Sequence, residues 1–187
     1  MQKLILITGD LAAGKSTLAE HISKRYQIPT FTKDKIKELL CDRIGFSNRE
    51  ENLNLSYLSF DLLYHIFECF ADTGSSVVLE SNFRQNELDR LKTAAEQTGY
   101  EIVTIFLTGD LHILHQRYLN RASSGTRHPA HLSQNLASID DFIAVSKANV
   151  PKFLYGTIIP INTTLPDSPF DLSCDERIVH ALSSCSV

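Results

Sequence analysis

No stretch of the 187-residue sequence approaches the roughly 18 consecutive apolar residues that a membrane-spanning helix needs. The apolar run near the N-terminus, Leu4 to Ile7, is too short for the core of an export signal and leads straight into Thr8 and Gly9. A soluble, cytoplasmic chain is therefore expected. Positive charge is also in short supply: 18 Lys and Arg stand against 22 Asp and Glu, a net charge of −4. A protein whose main task is gripping nucleic acid needs a surplus of cations to neutralise phosphates, so this balance speaks against DNA or RNA as principal partner. Cysteine is confined to Cys41, Cys69, Cys174 and Cys185. No two form a CxxC and none stands at zinc-finger spacing from a histidine, which suits reduced, mostly buried thiols. Internal repeats, low-complexity segments and linker-like stretches are absent as well. One domain over residues 1–187 is expected, long enough to bury a core.

What the sequence does contain is an alternation of short β-rich runs with helical periodicity, the pattern of an α/β fold with a parallel sheet. Strands are expected at Lys3 to Thr8, Pro29 to Thr32, Ser76 to Glu80, Glu101 to Leu107 and Thr157 to Asn162. Helices are expected at Gly14 to Arg25, Asp34 to Ile44, Asn52 to Asp72, Glu87 to Thr98, after Asp110 as far as Arg121, from Gln134 to Lys147, and from Asp175 to Ser184. In the second of these, Ile36, Leu39 and Leu40 share a side; Gly74 and Gly99 stop the third and fourth. Ser123 to Ser133 is polar, holds Gly125 and Pro129, and reads as a mobile loop; Pro166 to Pro169 breaks the chain before the last helix.

The most informative segment is Gly9-Asp10-Leu11-Ala12-Ala13-Gly14-Lys15-Ser16-Thr17, a match to G-x-x-x-x-G-K-[ST]. Glycines let the backbone turn tightly enough for successive N–H groups to converge on one anion. The helix that begins at Gly14 adds the positive end of its dipole. Lys15 can reach the β- and γ-phosphates of ATP, and the Ser16 hydroxyl can ligate Mg²⁺. The motif follows an expected strand and opens an expected helix, which is the context it requires.

Phosphoryl transfer needs in addition a group that takes the acceptor's proton and cations that stabilise the moving phosphoryl. Asp34, just past the second strand, is the candidate base; the plainer reading is an N-cap for the following helix. Lys33, Lys35 and Lys37 flank it, each explicable as surface lysine, with Lys37 also a candidate for touching substrate. Glu80 ends the third strand on the same edge and can hold Mg²⁺ through water or bond the substrate, unless it is a strand-end carboxylate in solvent. Asn82 and Arg84 are candidates for lining the acceptor pocket. Arg117 and Arg121 lie four apart on one helix face, and Arg127 follows in the loop; together they suit a lid, over about residues 117–133, that closes on the triphosphate. His112/His115 and His128/His131 form HxxH pairs without acidic or thiolate ligands to complete a zinc set, and read as hydrogen-bonding histidines. Tyr57, Phe60, Tyr64 and Phe67 read as core. Asn162, Thr163 and Thr164 follow the last strand and either meet the adenine or form a loop only.

Taken together, these segments resemble the P-loop small-molecule kinases grouped as AAA_33, relatives of chloramphenicol phosphotransferase, the zeta toxins and the kinase domain of polynucleotide kinase. The pieces that carry the resemblance are Gly9 to Thr17, Thr32 to Glu38, Leu79-Glu80-Ser81-Asn82-Phe83, Arg117 to Arg121, and Arg127-His128-Pro129-Ala130-His131. The resemblance implies a three-layer P-loop fold of the nucleoside-monophosphate-kinase variety with strand order 2-3-1-4-5. It also implies Asp34 as acceptor-activating residue and Arg117 and Arg121 as lid. Two departures stand out. Ala12 replaces a glycine frequent in relatives, and Lys37 replaces the arginine with which polynucleotide kinases read substrate phosphate. The reading is an ATP- and Mg²⁺-dependent kinase acting on a small-molecule hydroxyl. Its rivals are a polynucleotide 5′-hydroxyl kinase, a regulatory or toxin-like nucleotide binder, and a plain P-loop hydrolase.

Overall fold

The computed structural model describes residues 2–125, 127–131, 136–166 and 171–183. In chain order the elements are β1 (Lys3–Gly9), α1 (Lys15–Tyr26), β2 (Thr30–Thr32), α2 (Lys33–Ile44), α3 (Arg49–Thr73), β3 (Val77–Glu80), α4 (Gln85–Thr98), β4 (Glu101–Thr108), α5 (Leu111–Ser123), α6 (Ile139–Asn149), β5 (Thr157–Asn162) and α7 (Glu176–Leu182), with 3₁₀ turns at Pro129–His131 and Leu172–Cys174. The five strands form one parallel sheet in the order β2-β3-β1-β4-β5.

The centre of β1, Leu4 to Ile7, is wholly apolar because both its faces are covered. Successive side chains point to opposite faces. Leu4 and Leu6 join Val77, Leu79, Ile102 and the inward sides of α3 and α4 in one core. Ile5 and Ile7 join Val78, Val103, Ile105 and the helices α1, α5, α6 and α7 in the other. β5 is an edge strand, so it tolerates Pro160, whose missing N–H no neighbour needs. The parallel register aligns Ile7, Glu80 and Thr32 in one row, which brings the carboxyl ends of β1, β3 and β2 to a single edge. Among the described residues no helix is long and apolar enough to cross a membrane.

Several boundaries differ from the sequence expectation for identifiable reasons. α3 starts at Arg49 rather than Asn52 because Asn48 caps it: its side chain accepts from Glu51 N–H at 2.9 Å, and the Glu51 carboxylate reaches back to Ser47 N–H at 2.6 Å. α6 starts at Ile139, capped by Ser138, rather than at Gln134. Gln134 itself, Ser133, Pro169, Ser184 and Cys185 lie outside the described residues.

The buried face of α2 is also not the expected one. Leu39 is 70 % exposed, whereas Lys33, Lys37 and Cys41, one turn apart, face inward. The helix walls a polar cavity, so its inner stripe is polar. Lys33 is thus no surface lysine. Its ammonium is 2.8 Å from Glu87, with side-chain exposures of 8 % and 3 %. Glu87 in turn accepts from Arg84 N–H at 2.9 Å and so caps α4.

A buried pair of this kind is costly to break on one side only. Lys33→Met strands the Glu87 charge and is expected to cost about 3 kcal/mol or more. Lys33→Met with Glu87→Gln removes both charges, keeps the acceptor for Arg84 N–H, and should recover at least half of that loss. Urea denaturation of the two variants checks the ordering, and equal losses would refute it.

Candidate active site

The carboxyl edge of the sheet opens into a cavity of about 460 Å³. Its floor is the turn between β1 and α1. At Gly9 (φ +133°) a Cβ would collide with the carbonyl group of Leu107 on β4, so only glycine fits there. The next residue's N–H donates to that carbonyl at 2.8 Å. Gly14 (φ +88°) then turns the chain into α1, whose N-terminus carries no side-chain cap. Uncapped N–H groups at a helix start are an anion site in waiting. Ala12 lies at φ +59°, a left-handed conformation that glycine adopts more easily, so the loop keeps its shape despite the departure noted above, at a cost of about 1 kcal/mol.

Lys15 is buried, and its ammonium donates to the carbonyls of Asp10 (2.7 Å) and Gly9 (3.2 Å). Burial lowers its pKa; the charges of Glu80, Asp34 and Asp10 oppose the shift. The Ser16 hydroxyl donates to Glu80 at 3.2 Å. Glu80 is 4 % exposed rather than a strand-end carboxylate in solvent, and burial pushes its pKa up to about 7 against the pull of Lys15. A hydroxyl and a buried carboxylate suit a hard divalent cation, which would replace the carboxyl proton. Among the described residues no cluster of three or more His, Cys, Asp or Glu could hold a metal alone, so Mg²⁺ here would depend on phosphate oxygens for the rest of its shell.

Asp34 lines the cavity from the first turn of α2. It is not the N-cap; that position is Thr32. Among the described residues its carboxylate has neither a hydrogen-bond nor an ion-pair partner. The other expected site residues also meet here: Leu11, Ala12, Ala13, Gly14 and Thr17 from the loop, and Lys37, Asn82, Arg84, Arg117, Arg121 and Arg127 around it.

Two do not line it. Gly9 lies beneath, and the Asp10 carboxylate points away, accepting from Thr108 (2.7 Å) and Ser146 (3.3 Å). Asp10 thus contributes a carbonyl to Lys15 and anchors the turn to β4 and α6. Asn162, Thr163 and Thr164 do not line the cavity either; Thr163 accepts from Arg117 (2.9 Å to its carbonyl), and Asn162 accepts from the Thr164 hydroxyl (2.8 Å).

Residues 127–131 close one side. The Ala130 carbonyl accepts from Lys37 and from Asn52, each at 3.1 Å, and Lys37 also bonds Asn52 at 2.7 Å. Lys37 is therefore buried and partly engaged, not surface lysine. His128 lies 2.9 Å from Asp42, and His131 lies 2.9 Å from Glu38, which ties the segment to α2. Because His128 Nδ1 accepts from Ala130 N–H, its proton sits on Nε2, donated to Asp42. His115 is buried on the Leu136 carbonyl. Arg127 lies over the Tyr118 ring, 4.7 Å from its centroid.

Sequence reasoning missed Arg49, Asn52, Leu53, Ser56 and Ser81 as cavity residues. The Asn48–Glu51 capping pattern was the available signal for the first of these, since it sets the start of α3.

With this geometry, the AAA_33 family model, described as an AAA domain, matches residues 4–144. The chain belongs to that family. Its solved neighbours include a protein of Chloroflexus aurantiacus J-10-fl put forward as a kinase, at 27 % identity and a TM-score of 0.84, with 100 % of this chain and 99 % of that one covered. A gluconokinase from Sinorhizobium meliloti 1021 aligns at 17 % identity and a TM-score of 0.57, covering 97 % and 90 %. The shikimate kinase of Bacteroides thetaiotaomicron aligns at 16 % and 0.56, covering 97 % and 98 %. At such identities the last two speak for the P-loop kinase fold alone. No curated protein is significantly similar to the chain.

The raised pKa of Glu80 has a stability consequence. The folded carboxyl keeps a proton that the unfolded chain releases above its ordinary 4.5, so Glu80 costs stability as pH rises from there through about 7. Nucleotide-free Glu80→Gln, which cannot ionise, should exceed the parent by on the order of 1–3 kcal/mol near pH ~8, with the gap closing near pH ~5. Urea midpoints at the two pH values check this, and parallel pH profiles would contradict it.

Proposed function

We propose that the protein is an ATP-dependent kinase that moves the γ-phosphoryl group to a hydroxyl of a small molecule. The observation that carries this reading is the joint lining of one cavity by the phosphate loop, the Ser16–Glu80 pair and the unpartnered carboxylate of Asp34. The phosphate loop and the start of α1 bind the triphosphate. Lys15 neutralises the β- and γ-phosphates. Ser16 and Glu80 hold Mg²⁺, which supplies charge neutralisation across those phosphates. Asp34 takes the proton of the acceptor hydroxyl as its oxygen attacks phosphorus and ADP leaves on the opposite side. Segment 117–133 acts as a lid whose Arg117, Arg121 and Arg127 stabilise the equatorial oxygens and whose closure keeps water out.

Little covalent work falls to the protein, so a few well-placed charges suffice. The acidic net charge makes a small acceptor a better fit than a polynucleotide.

Release of ADP from Mg–ATP across antibiotics, sugars, polyols, nucleosides and a 5′-hydroxyl oligonucleotide tests this. Turnover should depend on a small acceptor. It should fall by about 10²-fold or more in Asp34→Asn and in Lys15→Ala. Turnover with the oligonucleotide alone would replace the reading by a polynucleotide kinase. Release independent of any acceptor would make the protein a hydrolase.

A further inference from the structure

Eight lysines and arginines line the cavity, against two carboxylates, Asp34 and Glu80. The chain as a whole is acidic, so this surplus is local. A bound nucleoside triphosphate accounts for part of it. Lys15 belongs to the phosphate loop, and Arg117 and Arg121 come from α5, on the β4 side of β1. Lys33 is neutralised by Glu87. The opposite half of the cavity, on the β2–β3 side, still carries Lys37, Arg49 and Arg84.

None of these three cations has a carboxylate partner among the described residues. Lys37 spends its ammonium on two neutral oxygens, Asn52 Oδ1 and the Ala130 carbonyl, and forms no direct ion pair. Arg84 lies over the Tyr57 ring, 4.6 Å from the centroid. A ring face fixes a guanidinium while leaving its in-plane N–H groups to donate. Arg49 opens α3, where a cation opposes the helix dipole. Arg49 is exposed, so its guanidinium stands open to a ligand entering the cavity that it lines. Asn82 lines the same cavity, and its side-chain oxygen is buried without a donor among the described residues. A carbonyl-type oxygen in that state lacks an O–H or N–H donor, which a bound ligand can supply.

We infer that the acceptor is a hydroxyl compound that also bears an anionic group, a carboxylate or a phosphate monoester, held by Arg49 and Arg84 while one of its hydroxyls donates to Asn82. The inference rests on the kinase reading for the identity of the site as an acceptor pocket. Arginine forks match both anion types, so the shared chemistry is a planar or tetrahedral oxyanion. Asp34 and Glu80 keep the reacting end of the pocket free for the neutral hydroxyl.

Calorimetric titration of the protein saturated with Mg²⁺ and a non-hydrolysable ATP analogue tests this without any phosphoryl transfer. Matched ligands are used: neutral sugars and polyols, the corresponding aldonic and other sugar acids, and the corresponding sugar monophosphates. At least one acidic member should bind about tenfold or more tighter than its neutral parent. Whether carboxylate or phosphate wins identifies the anion. In Arg49→Ser with Arg84→Ser the preference should collapse to within about twofold, with the melting temperature serving as the check on folding.

Neutral parents binding as well as their acids would overturn the inference, as would a preference that survives the loss of both arginines, or no binding by either class at millimolar concentration. Turnover separates the two readings. An acidic ligand that binds but receives no phosphoryl group defeats the kinase reading alone; efficient transfer to a neutral acceptor defeats only this one.

Discussion

The close passage of the chain over β4 at Gly9 is the constraint on which the remaining site depends. The strand can leave the sheet beneath Leu107 only because the residue there has no side chain, and the turn is then pinned by the Asp10 N–H on the Leu107 carbonyl. The buried Asp10 carboxylate adds Thr108 and Ser146, so β4 and α6 fix the loop from below. With its base held, the loop presents an uncapped helix start and the Lys15 ammonium to one point. A loop free to breathe would lose the convergence that makes an anion site of ordinary peptide groups.

Around that point the protein has arranged charge against its own stability. Glu80 is held where ionisation is costly, Lys15 where its charge is costly, and the buried Lys37 has no carboxylate at ion-pair distance among the described residues. Interiors normally avoid this, because an unpaired buried charge gives up solvation for nothing. A bound triphosphate, a divalent cation and an anionic acceptor would each supply the missing counter-charge. The site is therefore half of an electrostatic unit. In the proposed function the other half would arrive with the ligands, and binding energy rather than folding energy would compensate the burial.

The closing segment shows a different economy. Ala130 enters the wall of the cavity and its carbonyl gathers Lys37 and Asn52, while His128 and His131 reach out to carboxylates on α2. Backbone and side chains from three separate parts of the chain thus share one small network. Few apolar contacts hold it: the cluster of Cys41, Leu55 and Ala130 is the smallest of three among the described residues. Segments secured mainly by polar contacts open more readily than packed core, as the proposed lid would need.

By itself the sequence determined the alternation of strands and helices and the phosphate loop, because these rest on local rules: apolar period, turn glycines and a contiguous motif. It also brought Asp34, Glu80 and the arginines forward as candidates, since each follows a strand or a helix face that could be located. Strand order came from family resemblance, not from the residues alone. Only the tertiary structure decided which side of each element faces the cavity. Leu39 points outward and Lys33 inward because α2 walls a polar space, and helical periodicity cannot distinguish a polar interior from solvent. Arg49 joined the site because α3 begins one turn earlier than its apolar pattern, and Asp10 left it because β4 and α6 offered its carboxylate hydroxyl donors. These outcomes depend on residues distant in the chain, and such partners are fixed by packing, not by spacing.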